Sequence, residues 1–171
     1  MVVPTVRFKI LYVFLVLSIE RRHIIHFAVT QHPTAAWAAQ QMVEAFLWDT
    51  APKYLLRDRD RIYSDWFRRR VKNMRIEEVL TAPHSPWQNP YSERLNGSIR
   101  RECLDHVIVF GENHLRRILG EYVNYYNQSR THLLLEVDSP ESRPVQTPEQ
   151  GRVAAMPQVD GLHHHYERRA A

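Results

Sequence analysis

Residues 8–17 form a stretch of Val, Leu, Ile and aromatic side chains in which only Lys9 is charged, closed off downstream by Glu20-Arg21-Arg22. A run without a polar face reads as a strand covered on both sides. Covering both sides takes helices on each face of a sheet, which points to an α/β fold. The run is too short to cross a bilayer. Arg7 and Lys9 precede its Ile10–Ile19 portion as basic residues precede a secretory leader, yet no small-residue cleavage site follows, so export is not expected.

The remaining elements follow from spacing. His23–Thr30 reads as a second strand beside the first. Thr34 fits the N-cap of a helix whose apolar positions Ala36, Ala39, Val43, Phe46 and Leu47 recur at helical intervals. Tyr54-Leu55-Leu56, a helix carrying Phe67, Val71 and Met74, and the stretch Ile76–Thr81 make a βαβ unit. Pro83, Pro86 and Pro90 then break the chain into a loop, after which Tyr91, Leu95, Ile99 and Cys103 mark the inner stripe of a helix. Leu115, Ile118, Leu119, Tyr122 and Tyr126 mark another. From Glu136 the chain turns to Pro, Gln, Arg and His with no sustained period. This predicts a core over residues 1–135 and a Pro/Arg/His-rich tail, extended or disordered, over 136–171.

Charge narrows the partners. The net charge is +4, and of 23 basic residues only Lys9, Lys53 and Lys72 are lysines. Guanidinium forks suit phosphate, so nucleic acid is a reasonable partner; a GC-rich coding sequence enriches arginine equally. Arg68-Arg69-Arg70 is either a DNA-contacting patch or a solvated helix face. His163-His164-His165 has no acid or cysteine at ligand spacing and reads as incidental. The single cysteine, Cys103, excludes an internal disulfide and a multi-cysteine zinc site; it fits a reducing cytoplasm and a small core position.

Two acids stand out by placement. Asp58 follows a strand end and Glu93 lies in the first turn of a helix, where polar side chains converge on clefts. Helical geometry puts Asn96, Gly97 and Arg100 each within about 60° of Glu93, opposite Tyr91, Leu95 and Ile99. The acid therefore shares a wet surface with a phosphate-binding cation. Paired carboxylates holding hard divalent ions suit phosphodiester chemistry. The other reading also stands on the residues alone: an Asp after a strand is a turn residue, and a Glu in a first helical turn serves the helix dipole. Asp60 competes with Asp58, since in an extended segment both side chains point the same way. Trp87, in the loop, suits stacking on a splayed base, while Tyr91 divides between stacking and packing.

The segment Ala82-Pro83-His84-Ser85-Pro86-Trp87-Gln88-Asn89-Pro90-Tyr91-Ser92-Glu93-Arg94 resembles the loop and helix start that hold the final glutamate in the integrase catalytic cores of bacterial insertion-sequence transposases. Thirty-four residues separate Asp58 from Glu93, close to the interval of that family's Asp-Asp-Glu pattern. The resemblance spans residues 4–135. It implies an α/β, ribonuclease H-like mixed sheet flanked by helices, Mg²⁺ or Mn²⁺ as cofactor, DNA as substrate, and transposition by phosphoryl transfer. Carried over residue by residue, it makes Asp58 and Glu93 catalytic metal ligands. It sets Arg100, seven places after the glutamate, toward the DNA, with Asn96, Arg94 and Trp87 beside it.

In that family the first aspartate stands a few residues ahead of a Val-Pro-Thr-like segment. Here Val3-Pro4-Thr5 is that segment, and no aspartate occurs before Asp49. Glu20, in a turn, points away from the cleft. The resemblance thus implies a core with its first strand largely missing, weakened metal binding, and a chain inactive alone, so that its standing as an enzyme is open. The expected partners are DNA and a full-length transposase or a second copy, in the cytoplasm and off the membrane. The alternative is a non-enzymatic DNA-binding or transposase-interacting remnant.

Overall fold

In the computed structural model, which describes residues 1–46, 50–83 and 85–170, the long apolar run becomes the middle strand of an antiparallel sheet. Its strands are β1 (Val2–Pro4), β2 (Ile10–Leu17) and β3 (Ile24–Thr30), in spatial order β1-β2-β3. Val3 pairs with Leu11 and Val13 with Val29. One face of β2, through Leu11, Val13, Leu15 and Leu17, packs into the larger core cluster. The other face meets helices only through Phe14 and Val16. Ile10 and Tyr12 consequently remain 43% and 37% exposed, so the strand is covered on both faces over its second half alone. Phe8 lies outside it, in a turn with φ 58°.

Helix α1 (Ala35–Ala45) begins where expected: Thr34 is extended and its Oγ1 accepts from the Trp37 N–H at 3.1 Å. Its buried stripe differs from the predicted one. Ala38, Ala39, Gln41, Met42 and Phe46 face inward, whereas Ala36 is exposed; Leu47 lies outside the described residues. Gln41 is buried because its Oε1 meets His26 Nε2 at 2.9 Å. Strand β4 (Tyr54–Arg57), helix α2 (Asp65–Asn73) and strand β5 (Glu77–Leu80) form the expected parallel βαβ unit, with Leu56 opposite Val79. Phe67 and Val71 are fully buried against Ala38, Ala39 and Met42.

Helices α3 (Pro90–Glu102) and α4 (Glu112–Gln128) cover the opposite face of the sheet. Their predicted stripes hold: Leu95, Ile99 and Cys103 on one, and Leu115, Ile118, Leu119, Tyr122 and Tyr126 on the other, all lie in the larger cluster. Asn127 ties α4 to β3, accepting from the Ile24 N–H and donating to its carbonyl, each at 3.0 Å.

The tail departs from its extended or disordered reading. Strands β6 (Arg152–Gln158) and β7 (His163–Arg169) pair antiparallel as a hairpin. The turn between them buries Val159 in the core cluster, and the His163 ring stacks on Tyr125 with centroids 4.2 Å apart. His165 Nδ1 meets Ser129 Oγ at 2.9 Å, and Gly151 at φ 121° makes the close approach to Arg169 that opens the hairpin. His163 and His165 are therefore packing material, whereas His164 is exposed.

Hydrogen-bond parity leaves one edge open. Met1 and Val13 exchange backbone bonds, 3.0 Å from the Met1 amine and 2.8 Å from the Val13 N–H, so odd residues of β2 direct their amides away from β3. Beyond Val13 no strand among the described residues runs alongside that edge, which faces β4 across a cleft. Hydrogen exchange should alternate accordingly: the Leu15 and Leu17 amides should exchange at least tenfold faster than those of Phe14 and Val16. Uniform protection along β2 would refute this arrangement.

Candidate active site

The end of β4 is fixed by a buried cation. Arg57 is 7% exposed; its Nε donates to Glu78 Oε1 at 2.6 Å, its Nη1 donates to the Asp58 carbonyl at 2.8 Å, and its guanidinium lies 4.8 Å from the Tyr63 ring centre. The chain leaves the sheet from this clamp. Asp58 and Asp60 then build successive local turns: the Asp60 N–H donates to Asp58 Oδ1 at 3.1 Å, and the Ile62 N–H donates to Asp60 Oδ1 at 3.0 Å. The segment is therefore turned, not extended as the sequence comparison of the two acids assumed. Both acids are exposed. Burial, reinforced by the charges of Asp58 and Asp60, pushes the Tyr63 hydroxyl up to about 12.

The start of α3 faces this strand end. Asn89 caps it, its Oδ1 accepting from the Ser92 N–H at 3.4 Å, with Pro90 as the first helical residue. The preceding loop is pinned where the Ala82 N–H donates to Gln88 Oε1 at 2.6 Å; His84, within the loop, is outside the described residues. Trp87 stands 71% exposed on that loop. Glu93, Arg94 and Arg100 are exposed, Asn96 is half-buried, and Leu95 and Ile99 point inward, as the helical spacing predicts.

A cleft of about 280 Å³ runs between the two elements, lined by Leu56, Arg57 and Tyr63 on one side and by Asn89, Ser92 and Asn96 on the other. Asp58 directly follows Arg57 in the chain and Glu93 directly follows Ser92, but neither acid lines the cleft itself. Arg100 Nη2 donates to the Val2 carbonyl at 3.4 Å, which carries β1 to the same place. Burial lowers the Met1 amine below its usual range, Asp58 and Asp60 pull it back up, and Arg100 adds to the lowering. These four groups thus lie in one electrostatic neighbourhood. Asp58, Asp60 and Glu93 are oxygen donors of the kind hard divalent cations prefer. Among the described residues, no three His, Cys, Asp or Glu side chains stand together as a ligand set.

Residues 74–140, which include this helix and its loop, match the family model described as Integrase core domain. Over those residues the chain resembles an integrase catalytic core. Over 57 residues it is 37% identical to an uncharacterized 39.2 kDa protein of insertion element IS476 from Xanthomonas euvesicatoria, a match spanning 33% of this chain and 16% of that relative. A chain in the cryoEM structure of a simian T-cell lymphotropic virus intasome, in complex with PP2A regulatory subunit B56 gamma, superposes with a TM-score of 0.64 at 15% identity. That superposition covers 97% of this chain and 63% of the other, and it shows a shared fold. The shared fold is α/β and ribonuclease H-like; the integrase core family is in general dependent on divalent metals. No described helix is long and apolar enough to cross a membrane.

Arg57 is the site residue that sequence reasoning missed. An arginine closing an apolar strand looks like the start of solvent, and only its pairing with Glu78, 21 residues away, shows it as the clamp behind Asp58. Of the Arg68-Arg69-Arg70 run, Arg68 is engaged by Asp65 at 3.6 Å and Glu78 at 3.8 Å, which places it on the α2 surface beside the same clamp.

Proposed function

We propose that this integrase-type core belongs to a transposase, that it binds DNA along the α3 face, and that Asp58 and Glu93 are its catalytic and metal-ligating acids. The supporting observation is the cleft between the end of β4, which Asp58 follows, and the first turn of α3, which carries Glu93, with Arg100 in the electrostatic neighbourhood of Asp58. Arg100, Asn96, Arg94 and Trp87 would meet the DNA, two through guanidinium–phosphate contacts and Trp87 by stacking. Asp60 is the alternative acid. With only Asp58 and Glu93 as ligands, Mg²⁺ or Mn²⁺ would be held weakly and mainly through water. The chain therefore binds DNA without joining it. A second copy or a complete transposase is the partner that would restore activity, in the cytoplasm.

Fluorescence anisotropy with a labelled duplex, run beside plasmid nicking in Mg²⁺ and in Mn²⁺, tests this. Binding should weaken steeply with salt, several-fold further in Arg100→Gln, and remain unchanged or tighten in Asp58→Asn, which removes a negative charge. Nicking should be absent. Metal-dependent nicking abolished by Glu93→Gln would overturn the inactive reading, and absence of DNA binding would overturn the whole.

The alternative reading is a non-enzymatic remnant that acts by associating with an intact transposase. Co-purification with a complete relative, retained in Asp58→Asn and Glu93→Gln, would support it.

A further inference from the structure

A second face of α3 frames a pocket beside the cleft just described, sharing Leu17, Tyr91 and Leu95 with it. Its volume is about 310 Å³, and Arg22 from the β2–β3 turn, Arg94 and Arg101 from α3, and Arg130 and His132 from beyond α4 all line it. Tyr91 and Tyr126 form flat walls between them. Arg94, Ser98 and Arg101 share this face by helical spacing, turned about 100° from the row that carries Glu93 and Arg100.

Four guanidinium groups around one small pocket repel one another unless an anion joins them. Only Arg130 is neutralised, by Glu102 at 2.7 Å; among the described residues Arg22, Arg94 and Arg101 have no carboxylate within ion-pair reach. Arg22 is also held at φ 60°, a left-handed conformation unfavourable for a residue with a side chain, and its guanidinium lies 5.6 Å from the Tyr91 ring centre. His132 lies against the same arginines. It is buried, and burial first, then Arg130 and Arg22, hold it far below the ordinary histidine range.

We propose that the pocket framed by Arg22, Arg94, Arg101 and Arg130 is a phosphate-binding subsite that seats one phosphodiester of a DNA strand, separate from the Arg100 contact. Planar guanidinium forks converging from three elements match a tetrahedral oxyanion, and the tyrosine rings offer apolar walls to the adjoining sugar or base. The choice of DNA as the source of the phosphate rests on the function proposed above; the anion chemistry does not.

The test uses the whole chain, wild type and the Arg22→Gln/Arg101→Gln double variant, with equal melting temperatures as the control for folding. Inorganic phosphate is titrated calorimetrically, and a labelled duplex is titrated by anisotropy between 50 and 200 mM KCl. The double variant should lose the phosphate heat, bind the duplex about tenfold more weakly, and show a log–log salt slope shallower by about 0.9, one phosphate contact. Arg100→Gln should lower DNA affinity yet keep the phosphate heat. Phosphate binding lost in the double variant, with no duplex binding by wild type, would uphold the subsite for a free phosphate and overturn the DNA reading. An unchanged salt slope and unchanged phosphate titration in the double variant would overturn the subsite and leave the DNA reading intact.

Discussion

Replacing Arg130 by alanine should lower the unfolding free energy by about 3 kcal/mol, because it strands a partly buried carboxylate. Glu102, the last residue of α3, accepts from Arg130 Nε and Nη2 at 2.7 Å each and from the Tyr122 hydroxyl at 2.8 Å. The two charged side chains are 23% and 26% exposed, which sets the effect at the lower end of the range for a broken buried pair. In a chain of this length the melting temperature should fall by roughly 6–12 °C. Tyr122→Phe removes one bond to the same carboxylate and should destabilise by about half as much. Burial raises the Glu102 pKa, but the hydrogen bonds from Arg130 and Tyr122 and the nearby positive charges bring it below the usual carboxylate range. A depressed carboxylate contributes stability that is present above its unfolded pKa and lost as pH falls through the folded one. The gap between wild type and Arg130→Ala should therefore narrow as the pH drops below 4. Superimposable melts at neutral pH would show that the pair contributes nothing.

The parts of this fold legible in the sequence are those where apolar residues alternate with polar ones at a fixed period. Leu95, Ile99 and Cys103 on α3, and Leu115, Ile118, Leu119, Tyr122 and Tyr126 on α4, contrast with charged neighbours, and their burial follows. In α1 the contrast fades, because alanines occupy both faces; Ala36 is exposed while Ala38 is fully buried. The hairpin escapes the pattern altogether. Its second strand, His163–Arg169, has one apolar ring in seven residues, and what holds it is stacking on Tyr125 and the burial of Val159, contacts that run 38 and more residues back along the chain. At the site, Asp58 and Glu93 were found through the resemblance of the Ala82–Arg94 loop, since neither acid departs from what a turn or a helix start ordinarily holds. Arg57 and Arg22 went unread for one reason: their roles depend on residues brought in from other elements, Glu78 and Tyr63 for one and Tyr91 for the other.

Acidification should weaken the fold through His132 before it touches the carboxylates. Burial, then the charges of Arg130 and Arg22, hold this histidine at about 4, against 6.5 for the free side chain. Its ring is 7% exposed, stands edge-on to Tyr126 with centroids 5.0 Å apart, and has Arg130 Nη1 at 3.3 Å from Nδ1, an arrangement that only the neutral imidazole accepts. The depressed pKa means that the unfolded chain takes up this proton first. Stability is therefore complete above 6.5 and declines by about 1.4 kcal/mol per pH unit down to 4, some 3 kcal/mol in all. Urea unfolding at pH 7.0, 5.5 and 4.5 should show this decline in wild type and not in His132→Asn, which cannot titrate. Keeping above pH 4.5 leaves Glu102 ionised in the folded state, so the difference between the two proteins isolates His132 from the Arg130–Glu102 pair. Parallel pH dependences would mean that water reaches the ring when it is protonated. The pocket beside it would then be more open than its arginines and tyrosines suggest, because a charged imidazole next to Arg22 and Arg130 is tolerable only with solvent or an anion between them.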